Sequence, residues 1–195
     1  VSDPVVESGA ELSVDDVEQF TAGRLAADNP ETQRLLDSAV AAARRYCGWH
    51  VSPVWAAHQI ILDGHGSRVL RLPTKHLITV DDVIEDGTTL NVDELTWNTA
   101  GLVRKANHLA WVQGYRLIDV VITDGFTATE AADWRQAVLT MVSLMASGNR
   151  PDSELIVKKV DDVQYQWGST VGADQALLSV SGVLDAYQVG QVFFA

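Results

Sequence analysis

Leu35, Leu36, Ala39, Val40, Ala43 and Cys47 recur at intervals of three and four, the spacing that gathers side chains onto one face of a helix. Asn29 ahead of Pro30 offers a capping side chain before a residue that needs no N–H, and Gly48 closes the run, so the pattern predicts a helix from Pro30 to Cys47. Arg44 and Arg45 fall in its last turn, where cations suit the carbonyl ends. A second stripe, Trp134, Val138, Met141, Val142 and Met145, predicts a helix over 128–147 with Thr127 or Thr129 as cap and Gly148 as terminator. This helix is expected to pack on the first. Ser13 followed by Asp15 and Asp16, with Val14, Val17, Phe20 and Leu25 as an apolar edge, predicts a shorter acidic helix from Val14 to about Ala26.

Between these helices the period changes. Runs rich in Val, Ile, Leu and Trp alternate with the turn dipeptides Asp63-Gly64, Asp86-Gly87 and Asp124-Gly125, which predicts strands at 57–62, 68–72, 78–85, 95–98, 102–106 and 116–123. Pro73 separates the second from the third, and Gly66 and Gly101 fit tight reversals. Beyond Pro151, Leu155 to Trp167 partly alternates and suits a strand or an extended arm, and Asp174 to Val189 reads as a short helix interrupted by Gly182. An apolar tail, Val192, Phe193 and Phe194, follows. The expected class is α+β: a small helical bundle carrying a β-rich insertion of antiparallel strands, with a C-terminal arm or helix. One domain is expected over 1–195, with N-terminal helices at 1–48, the insertion at 49–127, a core helix at 128–148 and the C-terminal strand and helix at 149–195.

Charge narrows the function. The 195 residues carry 14 Lys and Arg against 26 Asp and Glu, a formal net charge of -12, and phosphate neutralisation requires the opposite balance. Nucleic acid is not gripped by such a surface. More than half of this charge lies in residues 1–37, where nine carboxylates face Arg24 and Arg34 for a balance of -7. No apolar stretch approaches the roughly 20 residues of a bilayer span, and residues 1–10 lack the basic and apolar regions of a signal peptide. A single cysteine, Cys47, makes no internal disulfide and reads as a small buried side chain on the helix face.

No chemistry announces itself. His50, His58, His65, His76 and His108 are scattered through the β-region without the one-face helical spacing of a zinc motif, and Asp63-Gly64-His65-Gly66 reads as a hairpin turn. Asp81/Asp82 and Asp161/Asp162 are adjacent pairs that a strand points to opposite faces. Phosphate-binding glycine loops and a nucleophile elbow are absent from the sequence. No catalytic residue, metal ligand or cofactor is therefore expected. The competing enzyme reading is a metal-dependent hydrolase assembled from Asp63, His65, His76 and a distant carboxylate. Of the six tryptophans, Trp49 and Trp134 are expected in the core.

The order of elements and several local phrases resemble the head-to-tail adaptor, or connector, proteins of tailed double-stranded DNA bacteriophages. The similar stretches are 41–49 (Ala-Ala-Ala-Arg-Arg-Tyr-Cys-Gly-Trp), 70–73 (Leu-Arg-Leu-Pro) leading into 78–83 and 85–87, 121–126 (Val-Ile-Thr-Asp-Gly-Phe), a helix holding 135–138, the segment 157–165, and 184–187 (Leu-Asp-Ala-Tyr). The resemblance covers about Val14 to Val189. It implies a structural, non-enzymatic virion protein, made in the host cytoplasm, that forms a ring, commonly twelvefold, beneath the portal. Such a ring extends the DNA channel without specific DNA binding and offers a surface to a head-closure or tail protein. Another neck component, a head-closure or tail-terminator protein, is the neighbouring alternative, although those are usually more purely β. The interface with portal or with an adjacent subunit is expected at Leu184, Tyr187, Val192, Phe193 and Phe194.

Overall fold

The computed structural model describes residues 5–6, 11–148, 157–160, 163–166 and 173–190. By packing, the chain divides into two compact units, a helical one spanning 12–47 and 132–187 and a sheet unit built on 48–131. The architecture is α+β.

In the helical unit, α1 runs from Val14 to Phe20, shorter than its apolar edge suggests. Ser13 caps it through a reciprocal pair of bonds with Asp16. Its end is set by the backbone: Ala22 takes φ +51°, the Gly23 N–H reaches back to the Glu18 carbonyl and the Ala22 N–H to that of Gln19. That paired closure stops a helix whatever the side chains beyond it. Helix α2 occupies Pro30–Cys47 as its period predicts, burying Leu35, Leu36, Ala39, Ala43 and Cys47. Helix α3 spans Ala132–Gly148 rather than beginning at 128. Thr127 and Glu130 exchange bonds that close a preceding turn, and those bonds hold the Glu130 carboxyl below the usual carboxylate range. Trp134, Val138, Met141 and Val142 then face the interior, and α3 packs on α2.

After α3, strands Val157–Val160 and Val163–Gln166 pair antiparallel. The closing helix, Ala173–Leu184, runs through Gly182 without interruption. A glycine within a helix is worth about 1 kcal/mol less than alanine, and the burial of Ala176, Val180 and Leu184 at intervals of four outweighs that. Two phenols fasten the single turn that follows, Asp185–Tyr187. The Tyr46 hydroxyl on α2 donates to Asp185 at 2.5 Å, and Tyr187 donates to Asp133 on α3. Both phenols are held above their usual range, Tyr46 chiefly by its hydrogen bond and Tyr187 chiefly by burial.

The sheet unit holds two antiparallel sheets. Strand β1 (Val5–Val6) lies at the edge of a five-stranded sheet with β2 (Trp55–His65), β8 (Gln113–Asp124), β4 (Leu77–Glu85) and β5 (Thr88–Thr89), in that order. Strands β3 (Leu70–Arg71), β7 (Leu102–Lys105) and β6 (Leu95–Trp97) form the other. Both sheets contribute to one apolar core, which gathers Leu70, Val80, Val83, Leu95, Val103 and Trp111 around Ile118, Val120 and Ile122 of β8. A sheltered ion pair also joins them: Lys105 on β7 meets Glu85 on β4 at 2.5 Å, lies over the Trp111 ring, and leaves the second Glu85 oxygen to accept from the Val112 N–H.

Strand β2 departs from the expected turn at Asp63-Gly64. It continues to His65, pairing Gly64 with Gly114. A Cβ at Gly64 would stand 1.9 Å from the Val112 carbonyl oxygen, so only glycine lets the ladder close there.

Cavity formation at Leu36→Ala and Val138→Ala, both in the helical interior, is expected to destabilise the fold by about 1 to 5 kcal/mol each, with leucine the larger; chemical denaturation measures it. Tyr187→Phe removes a bond to a carboxylate that water can re-solvate, so a loss of about 1 kcal/mol is expected.

Candidate functional site

Strand β8 buries every second residue, Ile118, Val120 and Ile122, and the same parity carries on to Asp124, which is fully buried. Alternation therefore places a carboxylate where a fourth apolar side chain belongs. Asp124 pairs with Trp55 on β2 and with Leu77 on β4, at the end of the sheet where the chain enters it after α2 and leaves it before α3.

Two histidines meet this carboxylate. His58 Nδ1 lies 3.1 Å from Asp124 Oδ1, and His50 Nδ1 lies 3.8 Å from Oδ2. Oδ2 is buried and accepts no hydrogen bond among the described residues. The other nitrogen of His50, Nε2, is 3.3 Å from the Asp124 carbonyl oxygen; a carbonyl only accepts, so Nε2 carries the hydrogen. The His50 ring stacks on Trp55, with centroids 4.0 Å apart, and Trp55 also meets His58 edge-on. His50 and Asp124 are buried, whereas the His58 side chain keeps 24% of its exposure.

A bulge brings His58 into this set. Residues three apart in a regular strand face opposite ways, but Ala56 and Ala57 together oppose a single residue of β8, because Trp55 pairs with Asp124 and His58 with Ile122. Ala57 takes φ +54° at that point. The extra residue turns Trp55 and His58 onto one face, the face of Asp124. His50 arrives from the loop before β2, and Gly125 makes room for it: a Cβ there would lie 2.5 Å from His50 Nε2 and 2.6 Å from the Pro53 carbonyl oxygen, at φ +112°.

The residues of the hydrolase reading do not converge. Asp63 Oδ1 accepts the Arg116 N–H, and His65 ends β2 opposite Gln113. His76 bonds the Gly125 carbonyl through Nδ1 and stacks on Phe126. Asp63 stands eight residues along β2 from Trp55, roughly 25 Å at strand rise, so these side chains belong to opposite ends of the sheet. Among the described residues, the group of His, Cys, Asp and Glu close enough to share a metal ion is His50, His58 and Asp124.

The interface residues expected at the C-terminus fall in two places. Leu184 is fully buried and Tyr187 nearly so, both packed within the helical unit. Leu178 and Val183 of the same helix are exposed, Leu178 by 71%. Val192, Phe193 and Phe194 lie outside the described residues. In the sheet unit, Tyr115 and Leu109 are exposed, and Tyr115 shares an open groove with Val69, Arg71 and Arg116. No described helix is long and apolar enough to cross a membrane.

Gly125→Ala is expected to cost about 3 kcal/mol or more, from the positive φ and the contact with His50 together. A drop in the melting transition with loss of the near-ultraviolet tryptophan signal would register it.

No known family profile and no curated protein sequence matches the chain. Its fold does have solved counterparts. A chain in the neck of a native gene transfer agent (GTA) particle, determined with C12 symmetry, superposes with a TM-score of 0.60 at 12% identity, covering 99% of this chain and 97% of that one. A chain in the neck of an empty GTA particle, determined with C6 symmetry, gives 0.58 at 15% identity over the same shares. This protein therefore shares its fold with those neck chains.

Proposed function

We propose that this chain is a structural neck protein of a phage-like particle, a head-to-tail adaptor that assembles as a homo-oligomeric ring, of twelve copies, between the portal and a head-closure or tail protein. The observation that carries this reading is the fold shared with chains of symmetric particle necks over 99% of the length. The order of helices and strands resembling the adaptor family supports it independently, because that order is legible in the sequence without any superposition. The protein acts through shape and interface burial and turns over no substrate. It resides at the head–tail junction of the virion after synthesis in the host cytoplasm.

The charge suits a conduit. A net charge of -12 opposes phosphate, and screening confines that repulsion to about 10 Å at moderate salt, so DNA passes through the ring without being held. For the interface, the exposed Leu178 and Val183 supply apolar surface on the closing helix. Leu184 and Tyr187 anchor that helix from inside, and the apolar Val192, Phe193 and Phe194 are assigned to the same interface with portal or the adjacent subunit. Burying three such side chains is worth roughly 1.5 to 3 kcal/mol each.

Mass measurement of the purified protein, alone and mixed with its portal, tests the ring. A multiple near twelve, or ring formation on the portal, is expected; a strict monomer that ignores portal would refute the adaptor reading. Deleting Gln191 to Ala195 is expected to abolish co-sedimentation with portal while leaving the melt unchanged. A lower melt with association intact would remove the C-terminal run from the interface.

A further inference from the structure

We propose that His50, His58 and Asp124 form a binding site for one zinc ion per chain. The ligand atoms of the three side chains lie within 4.8 Å of one another. Around a tetrahedral zinc with bonds of about 2.0 to 2.2 Å, neighbouring ligand atoms stand roughly 3.4 Å apart. His58 Nδ1 stands 3.1 Å from Asp124 Oδ1 and His50 Nδ1 3.8 Å from Oδ2, either side of that value but measured to the two different oxygens, so closing on one ion takes a small shift of the side chains. Zinc would take the place of the hydrogen that His58 Nδ1 donates to Oδ1, and the 24% exposure of the His58 side chain gives water access to a fourth position.

The tautomer of His50 is already the one a metal requires. Its Nε2–H donates to the Asp124 carbonyl, which in the neutral ring leaves the Nδ1 lone pair on the side of Oδ2. Metal-bound histidines are held by the same kind of bond from the second nitrogen to a backbone carbonyl, which fixes both ring and tautomer. Stacking on Trp55 removes the remaining freedom of the ring.

Asp124 provides the second argument. Its Oδ2 is fully buried and accepts no hydrogen bond among the described residues, an arrangement that is unfavourable for a carboxylate unless a cation shares the space. The donor set, two imidazoles and a carboxylate, suits zinc and is too nitrogen-rich for calcium or magnesium. The site lies in the sheet unit, built from residues other than the apolar ones assigned to assembly, and a bound ion would clamp the loop of His50, strand β2 and the end of β8 together.

The test is calorimetric titration of chelator-treated, full-length protein with zinc chloride at neutral pH, with cobalt(II) absorbance as the geometric readout. One equivalent is expected, with a tetrahedral cobalt spectrum and a zinc-dependent rise in melting temperature. His58→Ala, at a partly exposed position that should preserve the fold, is expected to weaken zinc binding at least a hundredfold and to abolish the rise. Asp124→Asn should do the same, and His65→Ala, at the far end of β2, should change neither. The absence of saturable zinc binding in the wild type would overturn the site and identify the trio as a hydrogen-bonded His–Asp–His group. Zinc binding that survives His58→Ala in a folded variant would overturn it equally.

Discussion

A carboxylate with no access to water must be answered by its neighbours, and in the sheet unit Asp124 sets that demand. It occupies the position at which the apolar ladder Ile118, Val120, Ile122 would otherwise end in another aliphatic side chain. Leaving a buried carboxylate oxygen unanswered costs several kcal/mol. The surroundings are organised accordingly: a bulge at Ala57 reverses the parity of β2 so that His58 arrives on the correct face, and Gly125 yields the volume that the His50 ring occupies. Trp55 supports both imidazoles, one by stacking and one edge-on.

The helical unit answers a different problem, that of ending cleanly. Its interior is ordinary aliphatic packing along α2, α3 and the closing helix, but the last turn is held by polar means, with one phenol from α2 bonded to Asp185 and another from Asp185–Tyr187 bonded to α3. Apolar packing is tolerant of small shifts, whereas a phenol–carboxylate bond is directional. The two bonds define where the chain stands when the helical unit is complete.

Long periodic segments were legible in the sequence. Helices α2 and α3 follow from the spacing of Leu35, Leu36 and Ala39 and of Trp134, Val138 and Met141, because burial of one face dominates their energetics. The end of α1 was not, since it depends on Ala22 adopting a left-handed conformation that side-chain pattern does not encode. The His–Asp group was hidden for a related reason. His50, His58 and Asp124 are separated by a loop, a bulge and the length of the insertion, and Asp124-Gly125 reads as a turn signal. One clue was present: the alternation of Ile118, Val120 and Ile122 points to Asp124, and an acidic residue on an apolar parity is best read as buried. The direct signature of the fold as a whole lay in the sequential order of elements.

The Phe126 N–H donates to the Val51 carbonyl, and Trp55 pairs with Asp124 two residues earlier. The inward and outward strands of the insertion are thus fastened to each other at their base. From the standpoint of the helices, some eighty residues of sheet behave as a single closed loop of fixed mouth width. Closure entropy grows only by about 0.6 kcal/mol for each doubling of length, so residues can be gained or lost at the distant tips of the hairpins while the helices continue to see the same two chain ends. Changes in hairpin length at those tips are therefore expected to leave the stability of the helical unit almost untouched.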